Sequence, residues 1–338
     1  MLPPFEKELA RAQTLPARAY TDPAIFAAER ERIFRRTWQP IAALEDVAEP
    51  GTFTTAELGG APIVIVRDQA GELRGFYNVC RHRAGPVAIG KGARKSLTCK
   101  YHGWTYALDG RLMTTPELGD IENFDRAESG LVPIRVEAWG PFVFANLDAH
   151  AAPLAGVVGG IDALEPSMKR VAVRSYDIAC NWKTYVDNYL EGYHLPTVHP
   201  GLFAMLDYAK YRVETNELWS SQIAPMRSGD GDALYYWVFP NFMLNVYPDN
   251  VSLNLIVPVA PERTITVFEW YRARGAEDDD ATAKTVEWSD AIQQEDIAIC
   301  EAVQKGLASG AYDRGRFSTK RENGVHHFQG LVHRFLEA

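Results

Sequence analysis

Cysteine and histidine occur together in two short runs of this 338-residue chain, Cys80-Arg81-His82 and Cys99-Lys100-Tyr101-His102, with sixteen residues between them. Each run is short enough to sit on one tight loop, so the fold has to bring two loops together around whatever they bind. Four thiolates would suit an all-cysteine cluster. Two thiolates and two imidazoles suit either a tetrahedral zinc site or a 2Fe–2S centre in which histidine replaces cysteine on one iron, an exchange that raises the reduction potential. Zinc fingers usually pair Cys with Cys and His with His, whereas each run here carries one of each. The mixed pairing favours the iron–sulfur reading.

The rest of the chain must fold around more than this one site. Hydrophobic content of 46% and charged content of 23% describe a globular protein, and the length suits two domains. A net charge of −9 argues against nucleic acid or an anionic membrane as the main partner. The opening Met1-Leu2-Pro3-Pro4-Phe5-Glu6 is not a basic region followed by an apolar run, and no apolar stretch approaches the length of a membrane span. A cytoplasmic protein is expected, with Cys180 and Cys300 as buried free thiols.

Three segments are expected. In 1–37, Asp22-Pro23 reads as an N-cap followed by proline at N1, and Ile25, Phe26, Ile33 and Phe34 recur at helical spacing. This helical segment is expected to pack on the domain formed by 149–338. In 38–148 the texture changes to short β-type runs, including Ile63 to Val66 and a hairpin across Gly140-Pro141. Ala149 to Gly160, rich in Ala and Gly, reads as a linker. Within 149–338 a helix is expected near Asn181 to Leu195, then a hairpin across Ala260 to Arg263, a solvated acidic loop from Gly275 to Asp280, and a long helix from about Thr282 to Leu307. Strands enclosing a long C-terminal helix read as α+β.

A second constellation lies in 149–338. Asp187, Glu191 and His194 fall at i, i+4, i+7 and would share one helix face. His199 would point away from His194 on a continuous helix, but Pro196 should kink it and Pro200 biases His199 out of the α conformation. Two imidazoles converging beside carboxylates suit non-haem Fe(II) with open positions for dioxygen. In the last helix Asp296 shares an otherwise apolar face with Ile292, Ile299, Cys300 and Val303, and a metal is one way to compensate such a charge. Glu295, one position round, competes for the role, and either acid could instead pair with a nearby cation.

With both constellations in hand, the chain resembles the catalytic α subunit of the Rieske non-haem iron oxygenases over essentially its whole length. The matching pieces are Cys80/His82/Cys99/His102 with Arg83, Gly103-Trp104-Thr105-Tyr106 and Asp109-Gly110, then Asn181-Trp182-Lys183, Asp187-Asn188-Tyr189, Glu191-x-x-His194-x4-His199, and Glu295-Asp296 with Glu301 and Gln304 to Leu307. Lys100 stands where many relatives have proline. The resemblance implies an all-β Rieske domain, a helix-grip (Bet v 1-like) catalytic domain, and His194, His199 and Asp296 as iron ligands. It implies a head-to-tail homotrimer in which the cluster of one subunit serves the iron of its neighbour. Glu191 would bridge His82 or His102 of the adjacent subunit to a ligand histidine, a place where many members carry aspartate. That glutamate, Thr14 to Tyr20, Asn245 to Asp249 and the compact length resemble the branch acting on choline, glycine betaine, stachydrine and carnitine.

The chain has neither a plant-type cysteine spacing nor a glycine fingerprint for flavin or nicotinamide, so electrons are expected from NAD(P)H through a separate flavin and iron–sulfur reductase. Trp219, Tyr235, Tyr236, Trp237, Phe239, Phe242 and Tyr247 are candidates either for an aromatic cage around a quaternary ammonium or for plain core. The expected reaction is hydroxylation beside nitrogen, leading to N-demethylation or C–N cleavage. Hydroxylation or O-demethylation of an aromatic acid is the enzymatic alternative, and an electron carrier or zinc-binding module the alternative of another class. His150, His326, His327 and His333 show no ligand spacing and read as surface or structural.

Overall fold

A computed structural model describes residues 2–161, 164–229, 231–247 and 250–337. The chain divides into two compact units, one of Phe34–Leu154 with Ala163–Pro166, the other of Met1–Ile33, Ala155–Asp162 and Ser167–Ala338.

The first unit is all β. Its main sheet has seven antiparallel strands in the order β1 (Gln39–Ala43), β10 (Phe142–Asn146), β9 (Pro133–Trp139), β4 (Leu73–Tyr77), β3 (Ala61–Arg67), β2 (Thr52–Leu58), β5 (Lys91–Ala93). A small sheet of β6 (Leu97–Thr98), β7 (Thr105–Tyr106) and β8 (Leu112–Thr114) lies beside it in sequence. The run Ile63 to Val66 forms the centre of β3, and none of its four side chains is exposed. Alternation explains this burial on both faces. Ile63 and Ile65 join Val47, Leu58, Val143 and Ala145 in one core, while Val64 and Val66 join Phe53, Phe76 and the two cysteines Cys80 and Cys99 in another. The expected β9–β10 hairpin forms with Trp139 opposite Phe142, and Gly140 takes the positive φ of +54° that the turn needs.

The second unit carries the other seven-stranded antiparallel sheet, ordered β11 (Lys169–Ile178), β17 (Arg263–Arg272), β16 (Val251–Ala260), β15 (Phe242–Val246), β14 (Asp232–Val238), β13 (Trp219–Pro225), β12 (Arg212–Thr215). Its helices are α1 (Arg18–Thr21), α2 (Pro23–Glu29), α3 (Ala155–Val158), α4 (Trp182–Tyr189), α5 (Leu195–Val198), α6 (Pro200–Met205), α7 (Asp279–Ala308) and α8 (Asn323–Glu337). Asp22 caps α2 by accepting from Ala24 N, and a π-helical turn over Arg30–Phe34 continues it. The β16–β17 hairpin pairs Ala260 with Arg263 as expected. Helix α7 starts three residues earlier than the periodicity suggests, because Asp278 accepts from Ala281 N and Asp279 and Asp280 then favour the positive end of the helix dipole. Part of the acidic loop is thus a helix start.

Helix α4 departs from expectation. It ends at Tyr189, so Asp187, Glu191 and His194 do not share a helix face. The chain breaks at Leu190 to His194, before Pro196 is reached, and Pro196 and Pro200 each lie in the first turn of the next short helix instead of kinking a long one. Gly192 permits the break: a β-carbon there would meet the Tyr211 ring at 2.6 Å. Glu191 stabilises it by accepting from the backbone N–H groups of Tyr193 and His194.

The Asn181-Trp182-Lys183 run locks α4 in place. Asn181 caps the helix through Lys183 N, and its amide donates to the carbonyls of Tyr20 and Pro261. The fully buried Lys183 ammonium lies 2.6 Å from Glu29 of α2, whose other oxygen accepts from the Trp182 indole at 2.8 Å. Cys180 and Cys300 are buried and free. Among the described residues, no helix is long and apolar enough to cross a membrane.

Candidate metal centres

The two Cys/His loops of the first unit are built on one template. The N–H of Cys80 donates to Gly85 O at 2.8 Å and its carbonyl accepts from Ala84 N at 3.0 Å; Cys99 repeats both bonds with Trp104 O and Gly103 N, each at 2.9 Å. The residue that closes each loop takes a left-handed conformation, Ala84 at φ +58° and Gly103 at +72°. The cysteines are buried and the histidines exposed. The rings of His82 and His102 meet edge to face with centroids 4.6 Å apart. Burial pushes the Cys99 thiol up, and Cys80 beside it adds to the shift. Desolvation, then His82 and Arg83, lowers the His102 ring and keeps it neutral, as ligation requires. Tyr106 Oη lies 3.2 Å from Cys80 Sγ and accepts from Arg81 N. Two crowded thiols backed by two imidazoles suit a metal cluster. Gly85 keeps the space clear, since a β-carbon there would sit 2.9 Å from Cys99 Sγ.

The second unit assembles the other centre from three elements. His194 lies at the end of the α4–α5 loop, His199 between α5 and α6, and Asp296 in the middle of α7. One ligand atom from each falls within 4.8 Å of the others. Nε2 of His199 is 3.0 Å from Asp296 Oδ1 and Nε2 of His194 is 3.9 Å from it. Each ring has its other nitrogen committed to a carboxylate: His194 Nδ1 donates to Glu191 at 2.6 Å, and His199 Nδ1 to Glu295 at 2.6 Å. Carboxylates on Nδ1 fix the tautomer and turn both Nε2 atoms inward, an arrangement typical of metal-bound histidine. Asn188 donates to Asp296 Oδ1 at 2.6 Å and orients it. Burial alone would lower the His199 ring; Asp296 and then Glu295 outweigh it and raise it, so this cluster of acids calls for a cation. The donor set fits a divalent metal held by two imidazoles and one carboxylate.

These residues end a cavity of about 480 Å³. Tyr235 and Tyr247 cross at 87° with centroids 5.9 Å apart, and Tyr247 meets Trp288 at 81° and 6.1 Å. All three line the cavity, as do Tyr189 and Tyr211. The side-chain amide oxygen of Asn254, which also lines the cavity, is buried and has no hydrogen-bond partner. A second cavity of about 530 Å³ shares Glu191, His194 and Asn188 with the first, and the apolar residues Ile299 and Val303 line it.

The structure therefore brings His194, His199 and Asp296 together, with Glu191 and Glu295 behind the rings. Asp187 is elsewhere, half-buried beside Tyr20, which donates at 2.6 Å, and Gln329, which donates at 3.1 Å. Of the aromatic candidates, Tyr235 and Tyr247 face the cavity, while Trp237, Phe239 and Phe242 are core. Pro248 and Asp249 of the Asn245 to Asp249 stretch lie outside the described residues. Trp288 escaped the sequence reading, although its spacing of eight from Asp296 places it on the same helix face.

Comparison with known proteins agrees with both halves. Residues 37–125 match the Rieske [2Fe-2S] domain, and residues 164–222 and 208–338 match the ring hydroxylating alpha subunit catalytic domain. The chain is 37% identical to the chloroplastic choline monooxygenase of Arabidopsis thaliana, over 97% of this chain and 84% of that protein. It is 34% identical to the carnitine monooxygenase oxygenase subunit of Escherichia coli K12, over 95% of this chain and 93% of that one. The solved structure of a quaternary ammonium Rieske monooxygenase, described for carnitine oxidation by gut microbiota and inter-subunit electron transfer, superposes with a TM-score of 0.88 at 31% identity, covering 98% of this chain and 97% of that chain. Through its cluster domain and its catalytic domain alike, this chain belongs to the Rieske non-haem iron oxygenases and is an oxidoreductase of their monooxygenase group.

Proposed function

We propose that this chain is the oxygenase component of a quaternary ammonium monooxygenase, using dioxygen and electrons from a separate reductase to hydroxylate a C–H bond beside nitrogen, with N-demethylation or C–N cleavage as the outcome. The observation that carries the reading is the cavity, where the His194/His199/Asp296 cluster opens onto a wall of crossed aromatic rings suited to cation–π attraction. The choline- and carnitine-oxidising relatives support the same substrate class.

In this reading His194, His199 and Asp296 hold a mononuclear ferrous ion, and Cys80, Cys99, His82 and His102 hold one 2Fe–2S cluster. When bound, the cluster supplies electrons one at a time and the ferrous ion supplies activation of dioxygen. The chain's own residues do the rest. Glu191 and Glu295 hold the Nδ1 protons, Asn188 steers Asp296, and the aromatic walls exclude water and orient the substrate cation. The exposure of His82 and His102, and the position of Glu191 between the two cavities, support a head-to-tail homotrimer in which either histidine of one subunit meets Glu191 of the next. The functional division is 1–37, 38–148 and 149–338, and the enzyme works in the cytoplasm with a flavin and iron–sulfur reductase that draws on NAD(P)H.

Dioxygen- and reductant-dependent release of formaldehyde or trimethylamine tests the reading, measured across choline, betaines and carnitine and across methoxylated and plain aromatic acids. Turnover of the quaternary ammonium set is expected. Turnover of the aromatic acids alone overturns it.

A further inference from the structure

Asn254, on β16, is 3% exposed. Of the buried side-chain oxygens and nitrogens without a hydrogen-bond partner among the described residues, its Oδ1 is the one that lines the cavity. Four other amides of the same cavity are committed: Asn188 donates to Asp296, Gln222 to the carbonyl of Tyr189, Asn245 to Ser252 and Gln293 to Thr266. A buried acceptor left unpaired is destabilising, and folded proteins rarely keep one without a use. Asn254 is also tied to the metal end from two sides. Its cross-strand neighbour is Phe268 of β17, and two residues back along that strand Thr266 accepts from Gln293, three residues before Asp296 on α7. Two residues the other way on β16, Ser252 lies opposite Asn245, which accepts from the hydroxyl of Tyr189 at 2.8 Å, and the adjacent Asn188 donates to Asp296.

We propose that Asn254 is a specificity-determining residue that accepts a hydrogen bond from a hydroxyl two carbons from the quaternary nitrogen, so that substrates with an N–C–C–OH unit are preferred over counterparts with hydrogen in place of the hydroxyl. This deepens the proposed function and rests on it. Oδ1 needs a donor. A quaternary nitrogen has no N–H and a carboxylate only accepts, whereas a hydroxyl donates. Asn254 and Phe268 face each other across adjacent strands and both line the cavity, which sets their β-carbons about 5 Å apart. Nitrogen and oxygen of an N–C–C–OH unit stand about 3–4 Å apart by covalent geometry. A hydroxyl on Asn254 therefore brings the cation against the ring of Phe268, where cation–π attraction holds it. Its methyl groups then reach toward Thr266 and Gln293, the turn of α7 that leads to Asp296.

Anaerobic titration calorimetry of the ferrous holoenzyme tests this with two ligand pairs that differ only in that hydroxyl: choline against ethyltrimethylammonium, and carnitine against γ-butyrobetaine. Wild type should bind the hydroxylated member of each pair about tenfold to hundredfold more tightly. Asn254→Leu should erase most of that ratio in both pairs, mainly by weakening the hydroxylated member. Asn254→Asp keeps an acceptor in the same place and should keep the ratio. Steady-state kinetics should show the same ratios in kcat/KM. Equal affinity within both pairs for wild type would mean that water partners Asn254, and overturns the inference while leaving the proposed function standing. A ratio that survives in Asn254→Leu overturns it as well, since the hydroxyl would then be read elsewhere. Should Asn254→Leu fail to fold, the wild-type ratios and Asn254→Asp still decide. Wild-type enzyme that neither binds nor oxidises any quaternary ammonium compound overturns both readings.

Discussion

The two candidate centres use similar residues but are built in opposite ways. The cluster loops fit within residues 80–104, and each is closed by backbone hydrogen bonds to residues four and five positions on. The proposed iron site draws its residues from the end of one loop, the junction of two short helices and the middle of a third, about a hundred residues apart. One geometry is set locally and the other by tertiary packing. The first should survive damage that empties the second, because a site with no local frame reports on the stability of everything that supports it.

Asp296→Ala is the strongest test of this difference. Iron should fall from about three to about two per chain with labile sulfide unchanged near two, and turnover should vanish while the cluster's visible absorption remains. Iron retained at about three would mean that Glu295, one residue away, takes the ligand role. Lys183→Met strikes the scaffold instead. It leaves Glu29 buried and unpaired, a change that costs about 3–5 kcal/mol. Mononuclear iron and the melting temperature of the second unit should both drop, with the cluster spectrum intact. Loss of cluster and iron in equal measure would break the contrast.

The smallest effect concerns pH. Burial raises the Asp187 carboxyl to about 7, so the folded second unit keeps a proton that an unfolded chain releases near pH 4. The sign follows: stability linked to Asp187 is full below about pH 4 and is lost as pH rises through about 7. Asp68 in the first unit behaves oppositely. Burial would raise it, but Arg74 and the backbone N–H groups of Glu72 and Ala70 lower it, so its contribution is present above about pH 4 and fades in acid. Between pH 5 and 8 the melting transition of the second unit should slip by a few degrees, and Asp187→Asn should flatten that slope. Equal slopes in variant and wild type would show that Asp187 does not set it.

The cluster loops were legible in the sequence because everything that shapes them is near in the chain. The β16–β17 hairpin and α7 were legible for the same reason, one from its turn and the other from its period. The break after Tyr189 was not. Proline signalled a kink at residue 196, but the chain turns earlier because Gly192 packs against Tyr211, whose proximity only the folded state creates. Strand residues posed a related difficulty. Tyr235 and Trp237 lie two apart on β14, yet Tyr235 lines the cavity whereas Trp237 is buried in the core against Phe328. Asp296 and Glu295 are adjacent, and only the approach of both imidazoles to Asp296 tells them apart.

The twin loops carry a further consequence. Their closure rests on main-chain bonds and, in the first loop, on the Tyr106 hydroxyl accepting from Arg81 N, so the side chains at positions 81, 83 and 100 are not needed to hold their shape. Here those positions are Arg81, Arg83 and Lys100, all exposed around the two histidines. Side chains at these positions can therefore change without unfolding the loops beneath them, while the charge of Arg83 still reaches the His102 ring.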